Sequence, residues 1–350
     1  MQSSLTLLLM LLACLMGHGQ SPQLLNKKID EFNITIYIPK DFKPGNGYKV
    51  LYVNDGQTAF GSHGLNMDGQ ATELIEKGLI EPLLIVGIHS DKNRTSSYVP
   101  YYDSLVTLDF GTYSPKAERY TKKIIQKIMP AVEGEFGKSK SNGMAGYSFG
   151  GLHASWAALH YPEVFTFSAG LSPSYWVKDF KIFDEAKKAK PNQQYYFDVG
   201  TGEWNYYVPF LKKTNLNILN NVFYFEDFGA FHDIPSWRGR IGNVLLLFAG
   251  VTDRSSYTWE IQQEVIKSSF NNRFYLRLNP LIKYANGLIC SISYAADFQL
   301  LNPNDGVVNP DGSFRFTQPK DLKVKISYGG ESREHIVSYA EVEKIKATLQ

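Results

Sequence analysis

Gly146-Tyr147-Ser148-Phe149-Gly150-Gly151 is the stretch on which the reading of this chain turns. A serine flanked by glycines at this spacing suits a sharp turn from a strand into a helix. Such a turn lifts the hydroxyl clear of a sheet, and the glycines leave room where backbone and helix approach closely. The flanks agree with it. Asn142-Gly143-Met144-Ala145 reads as a short strand, and Leu152-His153-Ala154-Ser155-Trp156-Ala157-Ala158-Leu159 as a helix. A five-residue pattern alone arises by chance, as a tight glycine turn with an incidental serine. The strand before and the helix after outweigh that plainer reading.

Working outward, strand-like and helix-like stretches alternate from about residue 30 to 250. Asn33 to Ile38 alternates and stops at Pro39, as a half-buried strand does. Lys49 to Asn54 is a second strand, closed by Asp55-Gly56. Pro82 to Ile88 is a continuous apolar run, the mark of a strand buried on both faces. Phe165 to Ala169, Gln194 to Val199 and Asn221 to Phe225 are further strands. Gly69 to Lys77, Ala117 to Phe136 and Ile241 to Phe248 are helical, with Pro130 expected to bend or break the second. This alternation implies a mostly parallel sheet covered by helices. With the serine turn it points to the α/β-hydrolase fold.

The pattern changes near residue 251. Thr252-Asp253-Arg254-Ser255-Ser256 reads as a polar linker. Beyond it come short β-type runs at 273–278, 288–292, 313–316, 323–326 and 335–339, some separated by Asn-Pro-Asp-Gly-type turns. A small all-β, sandwich-like domain is expected over 252–350, after a hydrolase domain over 20–251. All the chemistry is assigned to the first. The second is expected to be separable.

Leu5 to Met16 is an apolar run too short to span a bilayer comfortably, followed by Gly17-His18-Gly19. It reads as a secretory signal over 1–19, which implies a secreted or periplasmic protein. Leu11-Leu12-Ala13-Cys14 is the competing reading, a lipoprotein signal with Cys14 as the anchor. No transmembrane segment is expected after signal removal. Of the two cysteines, only Cys290 then remains, so no internal disulfide forms and a cysteine-built zinc site is excluded. The 36 Lys and Arg nearly balance 34 Asp and Glu, which gives no reason to expect nucleic acid as a partner.

A serine hydroxyl needs a base to take its proton. Seven histidines are available. His18 lies in the signal and His335 in the second domain. His153 and His160 ride the helix after Ser148. His63 and His89 precede the serine, whereas this fold orders its triad serine, acid, histidine. His232 remains, just past the last strand, and is the candidate base. The acid belongs after the preceding strand, where Phe197-Asp198-Val199-Gly200-Thr201-Gly202-Glu203 offers Glu203 in the loop and Asp198 inside the strand. Glu203 is favoured, to hold the imidazole tautomer and stabilise its protonated form. An oxyanion hole needs two backbone N–H groups. Phe149, after the nucleophile, supplies one, and Gln57, in the loop after the strand ending at Asn54, the other.

Tyr52-Val53-Asn54-Asp55-Gly56-Gln57, the serine turn, Ser172-Pro173-Ser174-Tyr175-Trp176, Gly200-Thr201-Gly202-Glu203 and Phe231-His232-Asp233 occur in this order, with Trp237-Arg238 after them. Together they resemble the esterase D-like "putative esterase" family of α/β-hydrolases over roughly residues 30 to 250. That group includes carbohydrate esterase family 1 feruloyl and acetylxylan esterases and siderophore esterases. It also includes S-formylglutathione hydrolases and mycolyltransferases. The resemblance implies Ser148, Glu203 and His232 as a triad, and neither cofactor nor metal. Where relatives read Gly-Gly-His-Asp, this chain has Gly229-Ala230-Phe231-His232-Asp233. The resemblance also points to Arg94 and Tyr98 as residues bordering the substrate, with Trp176 a further cleft candidate.

The expected function is a secreted serine esterase that forms an acyl-enzyme, acting on feruloyl or acetyl esters of polysaccharides. A siderophore trilactone is the alternative substrate. The rival from another class is a binding protein built on a hydrolase scaffold.

Overall fold

The computed structural model describes residues 21–45, 47–203, 207–214, 221–251, 256–267 and 272–349. The expected signal, Cys14 and the linker segment 252–255 lie outside them.

Eight strands form one sheet: β1 (Gln23–Ile29), β2 (Phe32–Ile38), β3 (Lys49–Asn54), β4 (Leu83–Ile88), β5 (Ser141–Tyr147), β6 (Phe167–Leu171), β7 (Gln194–Gly200) and β8 (Val222–Asp227). Their order is β1-β2-β4-β3-β5-β6-β7-β8, with β1 and β2 antiparallel and β3 to β8 parallel. The parallel strands are apolar on both faces because both faces are covered. In β3, Val50 and Tyr52 enter one core while Leu51 and Val53 enter the other. The helices are α1 (Met67–Glu76), α2 (Arg94–Tyr98), α3 (Ser104–Phe110), α4 (Ala117–Lys123), α5 (Met129–Phe136), α6 (Phe149–His160), α7 (Val177–Glu185), α8 (Val208–Thr214) and α9 (Ile234–Ala249). The first core takes in α4, α5 and α6, the second α1 and α9. Pro130 does not break its helix. A wider π-type turn, Ile124–Ile128, joins α4 to α5 just before Pro130, so the irregularity expected at the proline takes the form of a local widening of a continuous helix. The sequence reading missed β1, an exposed edge strand whose polar pattern, Gln23-Leu24-Leu25-Asn26-Lys27-Lys28-Ile29, hides its pairing with β2.

The C-terminal part holds β9 (Tyr257–Lys267), β10 (Phe274–Tyr284), β11 (Ile289–Ser291), β12 (Asp297–Leu300), β13 (Gly306–Val308), β14 (Phe314–Phe316), β15 (Leu322–Tyr328) and β16 (Glu331–Val337). They form small sheets, β11-β10-β9, β12-β15-β16 and β13-β14. Trp259 and Leu278 from one sheet and Val324, Ile326 and Val337 from another share a core. The part is not purely β. Helix α10 (Tyr339–Thr348), capped by Ser338, adds Val342 to that core.

The expectation of a separable domain meets a contrary observation. Leu288 and Cys290 of the C-terminal part are buried in the same core as Leu246 and Phe248 of α9. Polar contacts cross as well. The Glu226 amide donates to Ser291 Oγ (2.8 Å), the Ile289 amide to Asn243 Oδ1 (3.1 Å) and Tyr294 Oη to the Val222 carbonyl (3.2 Å). Arg277 Nη2 bridges Glu226 of β8 (2.7 Å) and Glu264 of β9 (2.9 Å). Cutting the chain after Gly250 therefore uncovers apolar surface on α9 and strips Glu226 of its charge partner. The truncated protein is expected to aggregate or to melt far below the whole chain, read by size-exclusion chromatography and thermal melting. A monomeric fragment with an undiminished melting temperature defeats this expectation.

Two carboxylates share one guanidinium in this contact. Burial first, and Glu226 second, push Glu264 up to about 7, against the pull of Arg277. A carboxyl group raised in the folded state holds its proton longer than in the unfolded chain. Its contribution is full below the unfolded value, near 4.5, and is lost as pH rises through about 7. Stability of the wild type is thus expected to fall between about pH 5 and pH 7.5 by a few kcal/mol from this source. Glu264→Gln flattens that fall. Urea melts at the two pH values test it, and parallel slopes in both proteins contradict it.

Candidate active site

Ser148 sits between β5 and α6 with φ 54° and ψ −125°, a region that non-glycine residues seldom enter. The flanking glycines are steric requirements: a Cβ on Gly146 would lie 2.6 Å from the Gly150 carbonyl carbon. The Ser148 amide donates to the Leu171 carbonyl (3.0 Å), which ties the turn to the end of β6. Phe149 opens α6, so its N–H has no intrahelical acceptor and stays available. Asn54 braces the turn from below. Its Nδ2 donates to the Gly150 carbonyl (2.8 Å), and the same nitrogen lies 3.0 Å from His153 Nδ1.

His232 follows β8 and precedes Asp233, the N-cap of α9, whose side chain accepts from the Ser236 amide (2.9 Å). Its Nδ1 lies 2.8 Å from Glu203 Oε2. The Glu203 side chain is fully buried, whereas that of His232 is 38% exposed. Glu203 Oε1 accepts from the Gly200 amide (2.8 Å) and from Ser172 Oγ. The imidazole stands edge-on to Trp237 at 4.9 Å, and Trp237 stacks on Tyr147 at 4.2 Å. Among the described residues, Ser148 Oγ has its contact with Ser174 Oγ (3.3 Å) and is not hydrogen-bonded to His232. The structure thus joins Glu203 to His232 and leaves the serine link open, as ligand-free sites often do.

Asp198 does not reach His232. Its Oδ1 accepts from the Ser172 amide and its Oδ2 from Tyr196 Oη, both at 2.9 Å. Burial pushes it up to about 6, with nearby Arg240 opposing the shift. Both histidines of α6 are occupied elsewhere. His153 is fully buried and held down to about 3 by that burial, and His160 pairs with Glu185 at 3.1 Å.

Gln57 lies in the short 3-10 turn Gly56–Thr58 after β3, where N-terminal amides lack intrahelical acceptors. Asp55 enters this turn at φ 56°, and Gly56 is pressed against Gly87 so closely that a Cβ would lie 2.1 Å from its carbonyl carbon. Arg94 grips buried Asp55 with two bonds, Nε to Oδ1 (2.7 Å) and Nη2 to Oδ2 (2.8 Å). Its guanidinium also lies over the Tyr98, Tyr147 and Phe149 rings, 5.1 to 6.0 Å from their centroids. Tyr98 corrects the expectation made for it. It is 1% exposed, and its hydroxyl accepts the Asp55 amide (3.0 Å), so it braces the turn and cannot line a cleft. Trp176 is half-buried, its ring 6.2 Å from that of Phe149 and tilted to it. The sequence reading missed Ser172, Trp237, Arg240 and Asn54. Asn54, Ser172 and Trp237 lie in stretches quoted for the resemblance, without a role of their own, whereas Arg240 carried no signal.

A mostly parallel sheet with a strained serine at the β5–α6 turn defines an α/β-hydrolase. A family model described as "Putative esterase" matches residues 27–241, and the chain belongs to that family. It is a carboxylic-ester hydrolase. The chain is 25% identical over 178 residues to "Uncharacterized protein YbbA" of Bacillus subtilis (strain 168), covering 48% of this chain and 68% of that protein. The fold is shared with the BES protein from Bacillus cereus (TM-score 0.53, 19% identity, 67% of this chain and 97% of that one). It is also shared with the enterochelin esterase from Shigella flexneri (TM-score 0.51, 19% identity, 65% of this chain and 57% of that one). No helix among the described residues is long and apolar enough to cross a membrane.

Proposed function

We propose that the protein is a secreted serine esterase in which Ser148 attacks the ester carbonyl, His232 moves the proton and Glu203 orients the imidazole. The contact between His232 Nδ1 and Glu203 Oε2, beside a serine on a strained turn, carries this reading. Glu203 Oε2 accepts a hydrogen bond from His232 Nδ1–H, which leaves Nε2 with a free lone pair. Nε2 takes the serine proton as the tetrahedral intermediate forms, and returns it to the leaving alcohol. Phe149 and Gln57 amides receive the developing oxyanion. Water then attacks the acyl carbonyl carbon with His232 again as base, the bond to Ser148 Oγ breaks as His232 returns the proton to that oxygen, and the acid product leaves. Arg94 acts here by holding the Gln57 turn through Asp55, and Trp176 stands as a wall of the cleft.

The proposed substrates are feruloyl or acetyl esters on a polysaccharide, in keeping with the signal-like first residues. A siderophore trilactone is the second reading, supported by the shared fold of the Shigella enterochelin esterase. The discriminating experiment is a kcat/KM panel of p-nitrophenyl acetate, methyl ferulate, acetylated xylan and a catecholate trilactone. Turnover of the first, with ferulate or acetyl-xylan preferred over the lactone, is expected. A preference for the lactone reverses the substrate order. Absence of turnover on every ester, with binding retained, favours a binding protein on this scaffold.

A further inference from the structure

Behind Glu203 lies a buried polar cluster that the steps above do not use, and it converges on Ser172. Trp237 Nε1 (2.9 Å) and Arg240 Nη2 (2.8 Å) both reach Ser172 Oγ. Neither can accept a hydrogen bond. A serine hydroxyl has one proton and two lone pairs, and these two donors fill the lone pairs. The proton then goes to Glu203 Oε1, the acceptor within reach. Valence alone thus sets the direction of each bond.

Arg240 adds a second observation. It is 1% exposed. Its Nε stands 3.3 Å from Asp198 Oδ1 and its Nη2 3.8 Å from Glu203 Oε1. Neither Nε nor Nη1 makes a hydrogen bond among the described residues. The bond from this guanidinium therefore runs through the Ser172 hydroxyl, which spans the gap to Glu203. Ser172 itself is fully buried at φ 43°, its amide held by Asp198. A side chain in this strained backbone region is kept where its surroundings demand it.

We propose that Ser172 is a positioning residue of the triad, relaying the buried Arg240 and Trp237 donors to Glu203 Oε1 so that Oε2 alone faces His232. The proposal rests on Glu203 being the acid. With the Gly200 amide and Ser172 both donating to Oε1, that oxygen has no place for a proton. The carboxyl cannot turn without breaking both bonds. Oε2 is thereby left as the acceptor that faces His232 Nδ1.

The test uses the whole chain. Ser172→Gly suits the positive φ and removes the hydroxyl. The expected result is a fall in kcat for p-nitrophenyl acetate of about tenfold to a hundredfold, with KM nearly unchanged, because a misplaced base costs rate and not binding. The low-field proton NMR resonance of His232 Nδ1–H is expected to broaden or vanish. Trp237→Phe removes one donor and leaves the turn and the ring stack in place, so it decides the matter if Ser172→Gly fails to fold. A smaller fall in kcat and a displaced resonance are expected of it. Unchanged kcat in the folded variants overturns the proposal. So does a lowered kcat with an unmoved resonance, which is what lost packing alone would give. Glu203→Gln is measured beside them: if it keeps wild-type kcat, the acid assignment has failed and not the relay.

Discussion

Ser148→Ala is expected to lower kcat on a soluble ester by roughly 10⁴- to 10⁶-fold while the protein stays folded. The size follows from chemistry. Without the hydroxyl no acyl-enzyme forms, and only the oxyanion donors and substrate binding remain to speed direct attack by water. The fold is largely spared because, among the described residues, the hydroxyl makes one long hydrogen bond, 3.3 Å to the buried Ser174 Oγ, whose loss costs about 1 kcal/mol. Alanine meets the same backbone strain as serine at φ 54°, so the turn gains and loses little. Initial rates with p-nitrophenyl acetate, paired with a melting curve, check both halves. A variant that keeps more than about a tenth of wild-type kcat removes Ser148 from the mechanism, since a lost nucleophile costs far more.

The second large effect separates the two carboxylates. Glu203→Gln keeps the side chain's shape but gives up the charge that holds His232. The amide either offers an N–H to Nδ1, which forces the proton onto Nε2, or accepts more weakly. A fall in kcat of about 10³- to 10⁴-fold is expected at a nearly unchanged melting temperature. Asp198→Asn is expected to do the opposite. Asp198 is the carboxylate nearest Arg240 Nε at 3.3 Å, and it is fully buried. Its loss leaves that guanidinium short of a counter-charge, at a cost of roughly a few kcal/mol, with turnover of the folded fraction largely kept. Melting curves and rates on both variants decide. Asp198→Asn inactive at full stability, with Glu203→Gln active, reverses the assignment.

The serine turn was legible because its causes are local. A strand-to-helix reversal this tight excludes side chains at Gly146, and glycine spacing records that exclusion in six residues. Strands β3 and β4 were legible because burial on both faces leaves no polar alternation to read. His232 and Glu203 were reached by chain order, which in this fold fixes the loops that open at one end of the sheet. The 2.8 Å between them is a product of β7 and β8 lying side by side.

What escaped the sequence depends on residues far apart in the chain. Ser172 lies more than 60 positions before Trp237 and Arg240, which share one helix, and nothing near Ser172 announces that pair. An arginine inside a helix reads as a solvated charge until the sheet delivers Asp198, Glu203 and Ser172 to it. Tyr98 read as a cleft residue because an aromatic beside Arg94 suits either role. Only the packing of α2 against His153 and Asp55 buried it. The boundary near residue 251 was drawn from a change in local pattern, and local pattern carries no record of Leu288 and Cys290 entering a core built 40 residues earlier. The sequence by itself determined the parallel strands of the sheet and the strained serine, since each follows from short-range sterics or periodic burial. The tertiary structure decided which carboxylate meets the histidine, what braces it and where the C-terminal part shares a core with the sheet's helices, because those are contacts between segments that only the finished packing brings together.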